Sequence, residues 1–256
     1  MTGGSFRTLT GLVVPAITTE QMREVDRIAV EEVGLNLYQM MENAGRNLAS
    51  LSVELLGDRW PSAPVVVLAG TGGNGGGGIC AARHLANHGG NVTLVVSDLT
   101  RLRGVPSEQL TVYRATGGRL ANVRDLGGLD AELVVDAVLG YGIGGAPHGA
   151  AAELIRWISS RTGSVISLDV PSGVDSTTGT VAGDFVRPTN TMTLAVPKSG
   201  LGAGTVGVLW LADIGIPREV YQRVGVQLPD GLFTPGYRVR LVCDAADGAR
   251  IHLPRQ

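Results

Sequence analysis

The sequence predicts an α/β domain built on a mainly parallel sheet, with two helices ahead of the first strand. Three observations carry this. Apolar runs of about five residues recur from residue 65 onward. Stretches with helical apolar spacing separate most of them, as in chains whose strands pair in parallel. The runs are continuous rather than alternating, as in strands covered on both faces. With 256 residues, 44 % of them hydrophobic, the chain fits one large core that needs no disulfide. Residues 1–16 are expected to be a flexible segment, 17–223 the domain, and 224–256 a largely irregular tail with one strand over 237–242.

Thr18-Thr19-Glu20-Gln21 has the form of a capping box, and Met22, Val25, Ile28, Ala29 and Val33 follow at helical spacing until Gly34 ends the helix. Leu37, Met40, Met41, Ala44, Leu48 and Leu51 mark a second helix that closes near Gly57. Strands are then predicted over 65–69, 92–96, 133–137, 165–169, 192–196 and 207–211. Helices are predicted over 78–88, 107–115 and 150–160. Right-handed crossovers place the connecting loops over the carboxyl ends of the strands, where ligands bind in such sheets.

Four of those strand ends are polar or glycine-rich. Residues 70–78 hold seven glycines in nine positions. Without Cβ atoms, such a loop can adopt positive φ and let an anionic small molecule lie against its amides and the helix N-terminus that follows. A flexible turn is the plain alternative. The other three are Asp136 to Gly145, Asp169 to Asp175, and Val196 to Gly200. Asp136 and Asp169 end buried strands, where a carboxylate accepts a proton, coordinates a cation or caps a loop. Lys198 is the only lysine in the chain. Ser172 has no G-x-S-x-G elbow around it. His84 and His88 lie one turn apart on what reads as a solvated helix face, with no third metal ligand close in sequence. His148 is a further candidate to line the pocket.

Composition removes several classes. A net charge of -2 with 17 % charged residues leaves no basic footprint for nucleic acid or anionic lipid. No apolar run reaches the roughly 20 residues that span a bilayer, and the two cysteines form no framework. A cytoplasmic protein is expected, without nucleic-acid or membrane partners. Gly70-Thr71-Gly72-Gly73-Asn74-Gly75 also satisfies G-x-G-x-x-G, with Ser97-Asp98 after the second strand where a ribose-binding acid would sit, so a dehydrogenase is a competing reading. Two capped helices before the first strand fit it poorly.

Together, Met41-Glu42-Asn43-Ala44-Gly45-Arg46, the glycine loop with Ala81-Ala82-Arg83-His84-Leu85, Asp136 to Gly142, Leu168-Asp169-Val170-Pro171-Ser172-Gly173, Lys198-Ser199-Gly200-Leu201 and Asp213-Ile214-Gly215-Ile216-Pro217 resemble the NAD(P)H-hydrate epimerase family, the YjeF N-terminal domain. The likeness covers about residues 17 to 222. It implies a Rossmann-like three-layer α/β/α fold, a homodimer, and an isomerase that interconverts the R and S epimers of hydrated NADH and NADPH so that a partner dehydratase can repair them. The dehydratase domain fused in some members is not expected in this chain. The resemblance assigns a potassium ion to Asn74, Asp136 and Ser172. It assigns the hydrated nicotinamide nucleotide to Gly73, Asn74, Gly75, Gly76 and Gly77, to Gly140, Tyr141, Gly142, Ile143, Gly144, Gly145 and Ala146, and to Asp169. Lys198 matches a family lysine beside that pocket, and Asp169 with Lys198 is the expected acid/base pair.

The chain departs from the family pattern within the loop, where Asn-Asn-Gly-Gly-Asp is usual and Gly73-Asn74-Gly75-Gly76-Gly77 stands here. The missing carboxylate removes an acceptor for ligand hydroxyls, a loss of roughly 1.5 to 3 kcal/mol for a charged hydrogen bond. A family member repurposed for another small molecule, and a binding scaffold without catalysis, as in mRNA-decapping assemblies, are the alternative readings.

Overall fold

The computed structural model describes residues 6–60, 62–142 and 144–243. Its strands are β1 (Phe6–Thr8), β2 (Val13–Val14), β3 (Val65–Ala69), β4 (Val92–Val96), β5 (Arg119–Ala121), β6 (Leu133–Ala137), β7 (Ser164–Leu168), β8 (Asn190–Leu194), β9 (Val208–Ala212) and β10 (Arg238–Cys243). They join one sheet in the order β2-β1-β10-β9-β8-β7-β6-β3-β4-β5. From β9 to β5 every pairing is parallel. β10, β1 and β2 extend one edge antiparallel. The order reverses between β3 and β6, so the loops leaving their carboxyl ends diverge and open a crevice.

The helices are α1 (Thr19–Arg27), α2 (Leu37–Leu56), α3 (Gly73–Asn87), α4 (Gly104–Ala115), α5 (Gly149–Ser159), α6 (Ala203–Val206) and α7 (Arg218–Arg223). The sheet is covered on both faces, and β3 shows how. Val65, Val67 and Ala69 pack with Leu48 of α2, Ile79 of α3 and Leu110 of α4. Val66 and Leu68 pack with Leu154, Ile155 and Ile158 of α5. Both of its faces need apolar residues, which explains the uninterrupted run. The Rossmann-like three-layer architecture expected from the sequence is the one observed.

The capping box forms, with Thr18 accepting from the Gln21 backbone and Gln21 reaching back. α1 continues as a π-helix over Ile28–Val33 until Gly34, in the left-handed region, stops it. One expectation is corrected, at the N-terminus. Residues 6–8 and 13–14, within the segment expected to be flexible, form β1 and β2; Phe6 is fully buried and pairs opposite Cys243. The region after 224 is anchored by buried Val226, Leu228 and Leu232, and its strand β10 joins β1 to β9. Residues 1–5 and 244–256 lie outside the described residues. Among the described residues no helix is long and apolar enough to cross a membrane.

Candidate active site

The glycine-rich segment is a helix rather than a loop. α3 begins at Gly73, five residues earlier than expected, and none of Gly70, Gly72, Gly73 or Gly75 to Gly78 has positive φ. The glycines answer a packing demand instead. A Cβ at Gly75 would lie 2.0 Å from the Gly70 carbonyl oxygen, and one at Gly78 would lie 2.4 Å from the Ala137 side chain. α3 therefore sits closer to β3 and β6 than any helix with side chains there could. Its N-cap Gly72 has no side chain to satisfy the first-turn N–H groups, which face the cleft with the positive end of the helix dipole.

Asp136, at the end of β6, is fully buried and saturated. Its carboxylate accepts from the Ser167 hydroxyl (2.7 Å), the Ser172 hydroxyl (2.6 Å), and the Ser172 (3.0 Å) and Val138 (3.3 Å) backbone N–H groups. Burial pushes its pKa up against the pull of these donors. The Ser172 hydroxyl also accepts from the Leu139 N–H at 2.8 Å, while the Asn74 amide nitrogen donates to the Leu139 carbonyl at 3.0 Å. The Asn74 Oδ1 atom is buried without a hydrogen-bond partner. A buried amide oxygen left without a partner, linked through Leu139 to Ser172 and from there to Asp136, is an oxygen donor a monovalent cation can take, so the Asn74 end of this chain fits the potassium ion the resemblance implies.

β7 and β8 end alike. Val170 N–H donates to the Leu168 carbonyl (2.9 Å) and Val196 N–H to the Leu194 carbonyl (2.7 Å), closing three-residue turns around Asp169 at φ +68° and Ala195 at φ +65°. Positive φ at residues other than glycine costs of order 1–3 kcal/mol and gathers at functional sites. The turns stop both strands one residue or two short of expectation and aim the Asp169 carboxylate at the Lys198 ammonium, to which it is ion-paired. Both residues are almost wholly buried, at 3 % and 1 % exposure. Lys198 donates also to the Leu194 carbonyl at 2.8 Å, and its ammonium lies 5.9 Å from the Tyr141 ring centre. The other Asp169 oxygen accepts from the Tyr141 backbone N–H at 3.2 Å.

These groups meet at one cleft of about 840 Å3 over the carboxyl ends of the strands. Gly73, Asn74, Gly75, Gly77, Gly140, Tyr141, Gly142, Gly144, Gly145, Ala146, Asp169, Lys198 and His148 all line it. Three expected positions do not: Gly76 turns toward Met41 and Pro106, and Asp136 and Ser172 lie behind the lining. Ile143 falls outside the described residues. Gly77 faces Leu168, whose Cδ2 would lie 2.9 Å from a Cβ at that position. Where the family pattern carries a carboxylate, this chain carries part of an apolar wall. Asp98 lines the cleft, and one of its carboxylate oxygens caps a turn by accepting from the Thr100 N–H (2.9 Å) and hydroxyl (2.7 Å).

Two residues carry signals the sequence reading missed. Asp26 of α1 lines the cleft and accepts from the Tyr141 hydroxyl at 2.5 Å; burial raises its pKa. The signal was a carboxylate four residues after Met22, at the border of the apolar face. His84 is half-buried rather than solvated and contacts Glu42 at 2.7 Å, with Cys80 close by. Arg83 bonds the same Glu42 carboxylate, so the cluster forms a polar bridge between α2 and α3, and burial pushes the Cys80 thiol up to about 12.

A strand-end cleft that joins an open helix N-terminus to a buried lysine–carboxylate pair belongs to the Rossmann-like α/β domains that handle nucleotides and anionic metabolites. Residues 37–200 match the YjeF-related protein N-terminus. A NAD(P)H-hydrate epimerase from Dehalogenimonas lykanthroporepellens is 51 % identical over 236 residues, 92 % of this chain and 96 % of that protein. One from Truepera radiovictrix is 35 % identical over 82 % of this chain and 94 % of its own length. The bifunctional NAD(P)H-hydrate repair enzyme Nnr of Salinibacter ruber is 36 % identical over 83 % of this chain, which spans 43 % of that longer protein. The crystal structure of yeast ynu0 superimposes with a TM-score of 0.76 over 89 % of this chain and all of that one, at 21 % identity, a likeness of fold. This chain belongs to the YjeF N-terminal family.

Proposed function

We propose that the chain is an isomerase that interconverts the epimers of hydrated NADH and NADPH. The observation that carries this is the Asp169–Lys198 pair, buried yet lining the same cleft as the α3 N-terminus. Inverting a carbon that bears a hydroxyl needs that group to leave and return on the other face, or the ring to open and close. Either route moves a proton at the hydroxyl oxygen. In the ring-opening route Asp169 takes the hydroxyl proton as the ring C–N bond breaks, its electron pair passing to the nitrogen, and returns the proton to the oxygen when the bond re-forms on the other face; Lys198 orients the carboxylate and stabilises negative charge beside it. The Gly73–Gly75 turn and the 140–146 rim hold the nucleotide. Asn74, Asp136 and Ser172 would hold potassium, which supplies fixed positive charge near the diphosphate.

The presence of Asp136, held by Ser167, Ser172 and Val138, and of Asp169, ion-paired with Lys198, favours catalysis over a scaffold role. A homodimer completes the reading, and sedimentation tests it. The activity itself is tested by incubating one epimer of hydrated NADPH with the protein and following the other by chromatography. Conversion no faster than the spontaneous rate would sink the proposal.

A further inference from the structure

Tyr141 is held from four directions. Its backbone N–H binds Asp169 at 3.2 Å and its carbonyl accepts from the Ser176 hydroxyl at 2.9 Å. The Thr19 hydroxyl at the start of α1 donates to the same carbonyl at 3.4 Å. The fourth hold is the side chain, whose hydroxyl donates to Asp26 on the last turn of α1. The ring between them faces the Lys198 ammonium, and Gly142, Gly144 and Gly145, which follow, supply the cleft rim. Glycine-rich backbone has no side chains to fix it, so its course depends on how its first residue is anchored. Around Asp26 stand Tyr141 after β6, Asp169 after β7, Lys198 after β8 and Tyr221 of α7, while Arg23 acts on the Tyr141 side of the contact.

We propose that Asp26 is a positioning residue of this site, acting through the Tyr141 hydroxyl to fix both the start of the rim that Gly142, Gly144 and Gly145 supply and the ring over the Lys198–Asp169 pair. The assignment rests on the epimerase reading above. Two features separate it from a bond that merely ties α1 to the sheet. Asp26 lines the cleft, and its partner touches the acid/base pair at both backbone and ring. A tie serving stability alone needs neither.

The test compares wild type, Asp26→Ala, Asp26→Asn, Tyr141→Phe and the Asp26→Ala/Tyr141→Phe double variant for kcat, KM and melting temperature. Both single removals are expected to lower kcat about 10- to 100-fold and to raise KM by a smaller factor, about three- to tenfold, the costs of a displaced reacting group and of a loosened nucleotide rim. The double variant should be no slower than the worse single one, because both break one contact. Asp26→Asn keeps an acceptor oxygen and should recover to within about fivefold of wild type. Rates near wild type in Asp26→Ala, losses that multiply in the double variant, or Asp26→Asn as slow as Asp26→Ala would each overturn the proposal. An inactive wild type fails the epimerase reading instead. The five proteins are then compared by the melting shift NADPH gives, which the proposal requires to shrink in the two removals and persist in Asp26→Asn; no shift in wild type fails both.

Discussion

Asp169 carries two burdens, a positive φ and a buried ion pair, and substitutions separate them. Asparagine tolerates the left-handed region and keeps an acceptor for the Tyr141 N–H, but it cannot take a proton. Asp169→Asn is therefore expected to cost at least about 100-fold in epimerisation rate, measured on protein whose circular dichroism matches wild type. It also strands the Lys198 ammonium, and breaking a buried pair costs about 3–5 kcal/mol. Asp169→Asn/Lys198→Met should regain much of that stability in urea unfolding and none of the activity. Gly77 poses the converse problem. An aspartate there meets the Leu168 Cδ2, so Gly77→Asp should lose about 1–3 kcal/mol in wild type and less than that when introduced into Leu168→Ala protein, where the space is clear. Equal losses in both backgrounds would show that the Leu168 contact is not the obstacle.

Between elements, α2 and α3 meet through Gly45, whose Cβ would lie 2.5 Å from the Cys80 Sγ, and through the Glu42–Arg83–His84 cluster one turn away. Burial first, then the Arg83 charge, lowers the His84 pKa, while Glu42 pulls the other way. The native state thus binds this proton less readily than the unfolded chain. The contribution is complete above the ordinary value of about 6.5 and is lost as pH falls through the lower folded value. Wild type should lose more stability between pH 7.5 and pH 5.5 than His84→Gln does, read by urea unfolding at both pH values. Much of this level was legible in the sequence: β3, β4 and β6 fall on the expected residues because a doubly covered strand shows its whole length as apolar sequence. The start of α3 was not, since helix propensity reads Gly75 to Gly78 as a breaker and only the neighbouring Gly70, Ala137 and Leu168 reveal why glycine is required. The ends of β7 and β8 were misplaced for a similar reason: an apolar pattern carries no sign of a positive φ at Asp169 or Ala195. Asp26 stayed hidden because its partner Tyr141 is 115 residues away.

At the scale of the molecule, the cleft lies where the strand order reverses between β3 and β6, so a ligand filling it touches loops from both halves of the sheet. The acid/base pair stands on the β7–β8 side, the α3 N-terminus on the β3 side, and the Asn74–Leu139–Ser172 chain of hydrogen bonds joins them. A cation taking the partnerless Asn74 oxygen would stiffen that join before any nucleotide arrived. The two ligands should therefore be coupled, each raising the affinity for the other by the same factor. At 100 times its dissociation constant, hydrated NADPH adds about 2.7 kcal/mol, a rise of about 5–10 °C in melting temperature for a domain of this size. That rise should be larger in potassium chloride than in choline chloride of equal ionic strength, and Asn74→Ala should erase the difference between the salts while leaving the fold intact. Equal rises in both salts for wild type would mean that the orphaned amide oxygen answers to something other than a cation.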